Sequence, residues 1–260
     1  MYGIYDTSTS KVIAEFVSPI TVRSNQPVFI SDTLSLKRSA YKRATQRWEI
    51  ETKLSPTSYG AQDLMINLLT SGYSATLKIL TPQNFGARQR TTCTAALTVN
   101  TPASIAVTAV AVGSYYMIAS VGTTVFTSMG AANNNVGTIF KATAIGTGTG
   151  TVTLVNGIGA GSLNINLAAT GGLISKGTFI KFSNHDKVYI TTADTTVSTV
   201  TTSVLNFYPT LRSPVPGGST LTYQEDVQMT VRYDTDTVIG MVYEDGILMD
   251  NGTIKLIEAL

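Results

Sequence analysis

The sequence is poor in charge and almost lacks cysteine and histidine. Charged residues make up only 13% of the 260 positions, and the formal net charge is +2. A nearly neutral chain has no broad electrostatic attraction for nucleic acid or for a membrane surface. Its one cysteine, Cys93, excludes an internal disulfide framework and a multi-cysteine zinc site. A single thiol also fits folding in a reducing cytoplasm.

Long apolar runs are absent as well. The most apolar run, residues 105–112, is far too short to cross a bilayer. The first six residues contain no charged region followed by an apolar stretch, so no secretion signal is predicted. These features indicate a soluble protein, or part of a soluble assembly, without membrane insertion.

Candidates for enzymatic acid–base chemistry are few. Nucleophilic catalysis needs a base beside the nucleophile, and the only histidine, His185, falls in a predicted turn next to Asp186. A histidine in such a turn is typical of a turn or interface residue. Cys93, in a Thr-Thr-Cys-Thr context, is typical of an inert small hydrophobe. We therefore predict that the chain is not an enzyme and has no catalytic residues.

Motifs for metals and cofactors are incomplete. Residues 234–236, Asp-Thr-Asp, lack the glycine and the closing glutamate of an EF-hand at the required spacing. The Gly-Thr tract at 146–150 is not followed by the Gly-Lys-Ser/Thr of a phosphate loop. Glu49 and Glu51 share a predicted strand face with two cations, which is typical of a charge-balanced surface rather than of a glycosidase pair. No metal and no cofactor are predicted.

Alternation of polar and apolar residues marks the clearest predicted strand. From Trp48 to Leu54 every second residue is apolar or threonine, and the residues between them are charged. This period of two predicts an antiparallel strand with one buried and one wet face. Residues 227–234 alternate in the same way. We predict that these two segments pair, so that one sheet is built from both ends of the chain.

One helix is predicted over residues 57–71, because a capping residue, an apolar stripe at helical spacing and a terminal glycine follow in order. Elsewhere, short runs of β-forming residues are separated by turn signals. A tight turn at 184–186 is predicted to join strands 178–182 and 187–191. The predicted fold is mainly β, a sandwich or barrel with one flanking helix.

Composition changes abruptly inside the chain. From residue 91 to 175 the only charged residue is Lys141. Residues 89–175 are therefore interpreted as an inserted Thr/Gly/Ala-rich β domain in a discontinuous host domain of residues 1–88 and 176–260. The tract at 146–150 could instead be a flexible linker. Apolar β-formers recur too often for disorder, which favours a packed module.

A basic segment precedes the central strand. Its cations could line a channel near DNA phosphates, where they would attract any sequence. They could also lie in a solvated or intersubunit loop that pairs with the acidic C-terminal turns, and the near-neutral overall charge favours this second interpretation. The candidate interface residues are Lys37, Arg38, Tyr41, Lys42, Arg43 and Arg47.

Several segments resemble structural proteins of long-tailed bacteriophage tails. These are residues 176–190 with 205–212, residues 241–250, and the basic segment running into Gln-Arg-Trp-Glu-Ile at 46–50. Separately, residues 116–126, continuing through 137–140 and 146–151, are similar to a module that recurs in phage virion proteins.

The resemblance implies a tail-tube-like β-fold of two packed sheets with a flanking helix, and six copies that close into a ring by sheet pairing. It implies a virion structural protein of the tail tube or tube–baseplate junction, a conduit for DNA, with an inserted module. Partners would be copies of the chain and neighbouring tail-tube or baseplate proteins, with DNA only as passing cargo. The protein would be assembled in the host bacterial cytoplasm and located in the virion tail. The family supplies no catalytic residues.

Ring formation adds a physical expectation, because a ring-former presents edge strands that a monomer has to protect. Contacts between its subunits are heterologous and must close. The alternative function is recognition of carbohydrate on the host surface by residues 91–175. Such sites usually expose aromatic rings, and Tyr115, Tyr116 and Phe126 are the obvious candidates.

Overall fold

The chain is mainly β in the computed structural model, as the sequence predicts. The predicted helix over residues 57–71 lies outside the described residues. The residues that the structure describes are 3–6, 11–32, 38–42, 45–55, 77–81, 91–224, 227–234, 242–244, 247–250 and 253–260.

The strands of the described residues are numbered in chain order. They are β1 Gly3–Asp6, β2 Lys11–Asn25, β3 Val28–Asp32, β4 Arg38–Lys42, β5 Arg47–Leu54, β6 Leu77–Leu80, β7 Leu97–Thr98, β8 Ile105–Ala106, β9 Tyr115–Ser120, β10 Ile139–Lys141, β11 Thr151–Val155, β12 Ser162–Ile165, β13 Gly172–Ile174, β14 Phe179–Phe182, β15 Val188–Thr191, β16 Thr195–Val197, β17 Ser203–Tyr208, β18 Thr220–Thr222, β19 Gln228–Tyr233, β20 Val242–Glu244, β21 Ile247–Asp250 and β22 Ile254–Glu258. Two 3₁₀ turns, Val107–Ala109 and Phe126–Met129, follow β8 and β9.

The chain divides into two compact units. The first unit contains Met1–Gln83, Asp186–Val188 and Glu225–Leu260. The second contains Asn84–His185 and Tyr189–Gln224.

The first unit is built on a closed antiparallel barrel with the strand order β1-β2-β5-β22-β19-β6. Burial alternates along β5, β19 and β22, so that every second side chain enters the barrel. All six strands contribute to the core. Its apolar side chains include Ile4, Ala14, Trp48, Ile50, Leu54, Ile79, Met229, Val231, Tyr233, Ile254 and Leu256.

The two segments with the clearest alternation share this barrel but are not neighbours. β22 lies between β5 and β19, with Leu256 opposite Ile50 on one side and opposite Tyr233 on the other. The prediction of one common sheet is confirmed, and the prediction of direct pairing is wrong. Alternation determines which face of a strand is buried but not which strand lies beside it. The last strand has the same period and takes the position between them.

Barrel closure removes the open sheet borders that were expected for contact with neighbouring copies. β1 pairs with β2 on one side and with β6 on the other, which completes the ring of strands. Pro19 lies in β2 at the register shift between Val17 and Thr21, a position where the ladder is already interrupted. Free strand edges must therefore be sought in hairpins outside the barrel.

The second unit contains a six-stranded sheet in the order β12-β17-β15-β14-β18-β7. Just after β7, Val99 forms a bridge with Ile165 of β12, and the Asn100 N–H donates to the Asn164 carbonyl at 2.8 Å. These contacts link the ends of the two outer strands of this sheet through a single bridge. Its core includes Leu97, Leu163, Ile180, Phe182, Tyr189, Leu205, Phe207 and Leu221.

A four-stranded sheet, β10-β9-β11-β8, has a separate core within the second unit. The Gly-Thr tract at 146–150 packs into this module. The Gly150 N–H donates to Thr124 Oγ1 at 2.9 Å, and the Gly146 N–H donates to the Val107 carbonyl at 3.2 Å. A Cβ on Gly146 would lie 2.8 Å from the Val107 Cβ, so this packing requires glycine. The tract belongs to a packed module and is not a linker.

The second unit is larger than the insert predicted at 89–175. Residues 176–224 supply β14, β15, β17 and β18 to the same sheet as β7 and β12. The predicted boundary at 175/176 is therefore misplaced. Of residues 176–224, only 186–188 belong to the first unit, and the others belong to the second unit instead of the predicted host domain. The return of charge at Lys176 marks a change in surface composition, and surface charge does not decide which strands share a core.

Candidate functional site

The basic segment forms a hairpin outside the barrel sheet. β3 and β4 pair with each other over five residues, with Lys42 opposite Val28, Tyr41 opposite Phe29 and Arg38 opposite Asp32. We call residues 28–42 the basic ribbon. Arg38, Tyr41 and Lys42 lie on β4, whereas Lys37 and Arg43 lie outside the described residues.

The basic ribbon continues the long β2–β5 hairpin. β2 and β5 remain paired as far as Asn25 opposite Arg47, and Gln26 and Pro27 then interrupt the strand. Proline lacks the N–H that a continued ladder would need. Among the described residues, neither β3 nor β4 has a second neighbouring strand. Unlike the barrel, the ribbon therefore has edges left unpaired by the described strands, and these edges could pair with another chain.

An acidic hairpin lies elsewhere in the first unit. β20 and β21 form a separate two-stranded sheet, with Glu244 opposite Ile247 and Val242 opposite Asp250. The segment from residue 234 to 253 that contains it has five carboxylates and no lysine or arginine. We call β20 and β21 with their connecting residues, 242–250, the acidic hairpin.

The outer wall of the barrel is charge-balanced, as the sequence predicts. Arg23 pairs with Glu51 at 2.8 Å and Lys255 pairs with Asp234 at 2.7 Å. Glu49 accepts a hydrogen bond from Asn25. Glu49, Glu51 and Asp234 are thus each engaged by a neighbour, and pairs near the surface contribute little to stability.

The main polar cluster inside the first unit was not predicted from the sequence. Lys187 is 2% exposed and Glu258 is fully buried, and the Lys187 ammonium donates to the Glu258 carboxylate. The same carboxylate accepts the Val188 N–H at 2.9 Å and the Trp48 N–H at 3.2 Å. Lys187 Nζ also donates to Gln46 Oε1 at 2.7 Å. We call these five residues the buried ion-pair cluster.

Two further contacts of Trp48 hold the buried ion-pair cluster together. Lys187 Nζ lies 5.9 Å from the centre of the Trp48 ring, close enough for a cation–π contact. The Trp48 indole N–H donates to the Val188 carbonyl at 2.9 Å. Buried charges are tolerated when they are paired and hydrogen-bonded in this way. The sequence did contain a signal: Glu258 is a carboxylate at the buried position of an alternating strand after Ile254 and Leu256.

The only histidine takes part in a local hydrogen-bond chain in the second unit. His185 Nε2 lies 2.7 Å from the Tyr189 hydroxyl, and Nδ1 lies 3.0 Å from Asn184 Oδ1. Tyr189 Oη also accepts the Arg212 N–H at 3.2 Å. These contacts fix the turn at 184–186, in the role predicted for His185.

Cys93 is buried in the second unit. Its Sγ lies 3.1 Å from the Tyr223 hydroxyl oxygen, and that hydroxyl donates to the Ala95 carbonyl at 2.6 Å. Burial, with a smaller contribution from Cys93, raises the pKa of Tyr223 well above its usual range. The thiol therefore packs as a small core group, the role predicted for it.

Two of the three aromatic candidates for carbohydrate binding lie in the core. Tyr116 is 3% exposed and Phe126 is fully buried, and both belong to the core of the four-stranded sheet. Tyr115 is half-buried, with Lys141 Nζ 5.9 Å from the centre of its ring. A single half-buried ring is not a stacking platform.

No metal site emerges from the part of the chain that the structure describes: no group of three histidine, cysteine, aspartate or glutamate side chains could hold an ion there. Within the same residues, no helix combines the length and the apolar character needed to span a membrane. A scan against protein-family models gives no match to this chain, and a search of curated proteins gives none either.

Proposed function

We propose that the chain is a structural protein of a long-tailed bacteriophage virion. It forms an oligomeric ring of the tail tube or of the tube–baseplate junction, and the ring is a conduit for DNA. Its role is mechanical rather than catalytic. The proposal joins the resemblance to tail proteins with a mainly β architecture in which a hairpin with free edges leaves a closed barrel.

The observation that carries the proposal is the basic ribbon. A closed barrel satisfies its own backbone hydrogen bonds, so it has no need of a neighbour. A two-stranded ribbon does not bury enough surface to be stable by itself in water, and it gains stability when a further strand or surface covers it. In this chain the ribbon has no third strand among the described residues. A neighbouring copy supplies the missing surface in a ring.

The test is the state of the purified full-length chain and of a variant without the ribbon. In the variant, residues 26–46 are replaced by Asn-Gly, which connects Asn25 to Arg47 through a two-residue turn that suits a hairpin. We expect rings in electron micrographs of the wild type and monomers for the variant. Gln46 leaves the buried ion-pair cluster in this variant, so the circular dichroism spectrum and Trp48 fluorescence must show that the barrel remains folded.

The control variants change charge in the second unit instead of in the ribbon. Lys141→Glu and Lys176→Glu alter exposed lysines of the second unit. Both variants should form rings as the wild type does. A wild-type chain that stays monomeric at every concentration tested would refute the proposal. Rings that persist without residues 26–46 would show that the ribbon is not the ring contact.

A further inference from the structure

Opposite charges are segregated into two excursions from the barrel. Residues 26–46, which contain the basic ribbon, carry four cations and one carboxylate, Asp32. Residues 234–253, which contain the acidic hairpin, carry five carboxylates and no cation. Of these five, Asp234 is paired with Lys255 of the barrel wall. The chain as a whole is nearly neutral, so this segregation is a local property of the first unit.

The strand order places the two excursions at opposite ends of the barrel wall. The basic ribbon joins β5 at its first residue, Arg47, and the acidic hairpin joins β22 just before its first residue, Ile254. β5 and β22 are antiparallel neighbours, and Ile254 lies opposite Thr52 near the far end of β5. Five residues of strand separate these attachment points, a distance of about 17 Å at the usual rise.

We propose that the basic ribbon of one copy binds the acidic hairpin of the next copy. The two hairpins have complementary charge and are attached at opposite ends of the barrel wall. One head-to-tail contact therefore pairs the basic ribbon and the acidic hairpin of every copy with a neighbour of opposite charge. Such a contact is heterologous, and it closes into a ring or continues as a stack. The inference rests on the proposed function, because it assigns the partner and the polarity of that assembly. Among the described strands, the ribbon and the acidic hairpin each have unpaired edges, and these edges also allow backbone pairing between copies.

Charge complementarity has two measurable consequences. Assembly weakens as salt rises, because exposed charges are screened over about 8 Å at physiological ionic strength. Reversing the charge on one surface places like charges opposite each other and weakens the contact roughly 100-fold or more. Reversing both surfaces restores complementarity with the opposite sign.

The experiment uses two full-length double variants. Arg38→Glu/Lys42→Glu reverses the basic ribbon, and Glu244→Lys/Asp250→Lys reverses the acidic hairpin. Neither should assemble alone, whereas an equimolar mixture should assemble, because each variant then meets a complementary neighbour. A chain with all four changes should assemble with itself. Size distributions are measured by sedimentation, and Trp48 fluorescence checks that each variant is folded.

A cross-link tests the contact directly. Tyr41→Cys in one population and Leu248→Cys in another should form disulfide-linked dimers when mixed under mild oxidation, and neither population should do so alone. The native Cys93 is 2% exposed and does not compete. Mixing two populations ensures that any such dimer joins different copies.

The outcomes separate this inference from the proposed function. Wild-type rings that tolerate both reversals, or single variants that fail without rescue in the mixture, would overturn the head-to-tail contact and leave the ring proposal intact. Loss of assembly only with the ribbon reversal would also overturn it, since the ribbon would then bind a different surface of the neighbouring copy. A monomeric wild type would refute the ring. If the wild type instead forms short open oligomers, cross-linking between the two cysteine populations would still show the contact.

Discussion

Lys187 donates to Glu258 inside the first unit, where the two side chains are only 2% and 0% exposed. The carboxylate is also held by the backbone N–H groups of Trp48 and Val188. Taking two charges out of water is costly, and their attraction does little more than offset that cost. Removing one partner leaves an uncompensated buried charge, so the stability of the first unit depends strongly on each residue separately.

We expect Lys187→Met to lower the free energy of unfolding by about 3–5 kcal/mol, the cost of breaking a buried pair. Glu258→Gln should also destabilise the protein. The double variant should lose about 1–3 kcal/mol less than the sum of the single losses, because the two residues interact. Urea unfolding followed by Trp48 fluorescence measures this, since the only tryptophan lies beside Lys187.

The control for this cycle is Lys176→Met, which changes an exposed lysine and should alter stability by no more than about 0.5 kcal/mol. Strict additivity of the two single changes would mean that the pair is not energetically coupled. A Lys187→Met protein as stable as the wild type would contradict the buried-charge account altogether.

Replacing tyrosine with phenylalanine should change the free energy of unfolding in opposite directions at two buried positions. The Tyr233 hydroxyl is buried in the barrel core without a hydrogen-bond partner. An unsatisfied buried hydroxyl is destabilising, so Tyr233→Phe should raise the free energy of unfolding by about 1 kcal/mol. The Tyr223 hydroxyl donates to Ala95 at 2.6 Å, so Tyr223→Phe should lower it by about 1 kcal/mol. Chemical denaturation of both variants tests the contrast, and equal effects would disprove it.

Alkaline pH should destabilise the first unit through Tyr233. Burial raises the pKa of this tyrosine above its ordinary value of 10.0, so the folded chain keeps a proton that the unfolded chain releases. The associated stability is complete below pH 10 and is lost as pH rises towards the higher folded pKa, by about 1.4 kcal/mol per pH unit. In unfolding measured from pH 8 to 11, Tyr233→Phe should lose less stability above pH 10 than the wild type. Parallel curves would contradict the assignment.

Gly172 should be intolerant of a side chain although its backbone conformation is ordinary. A Cβ at this position would lie 2.6 Å from Cα of Cys93, and backbone atoms of a neighbouring segment cannot move aside easily. We expect Gly172→Ala to destabilise the second unit by about 1–3 kcal/mol through overpacking. Gly161→Ala is the matched control, because its Cβ would meet nothing closer than 3.8 Å. Hydrogen exchange in β12 and β17 reports on this unit, and similar behaviour of the two variants would refute the prediction.

Local patterns predicted several of the described strands and missed others, among them β12, β13, β16 and β18. The strand predicted at 178–182 appears as β14 Phe179–Phe182, and the strand predicted at 187–191 appears as β15 Val188–Thr191. The alternation from Trp48 to Leu54 identified the buried face of β5 correctly. Such patterns are local, because the period of a strand is set by its own backbone geometry.

The candidate site could be predicted only in part. The basic composition of residues 37–47 was evident, but composition does not reveal that β3 and β4 form a separate ribbon beside a closed barrel. The buried ion-pair cluster was missed because Lys187 and Glu258 are 71 residues apart in sequence. Only the inward position of Glu258 on β22 pointed to it.

The sequence by itself determined the β class, the faces of the main strands and the segregation of basic from acidic residues, because each depends on neighbouring side chains. The tertiary structure alone decided that β22 separates β5 from β19, that residues 186–188 belong to the first unit, and that the two charged hairpins leave opposite ends of the barrel. These relations depend on which distant strands exchange hydrogen bonds. Many strands with the same alternation could form these hydrogen bonds, and only the packing of the whole chain selects which of them become neighbours.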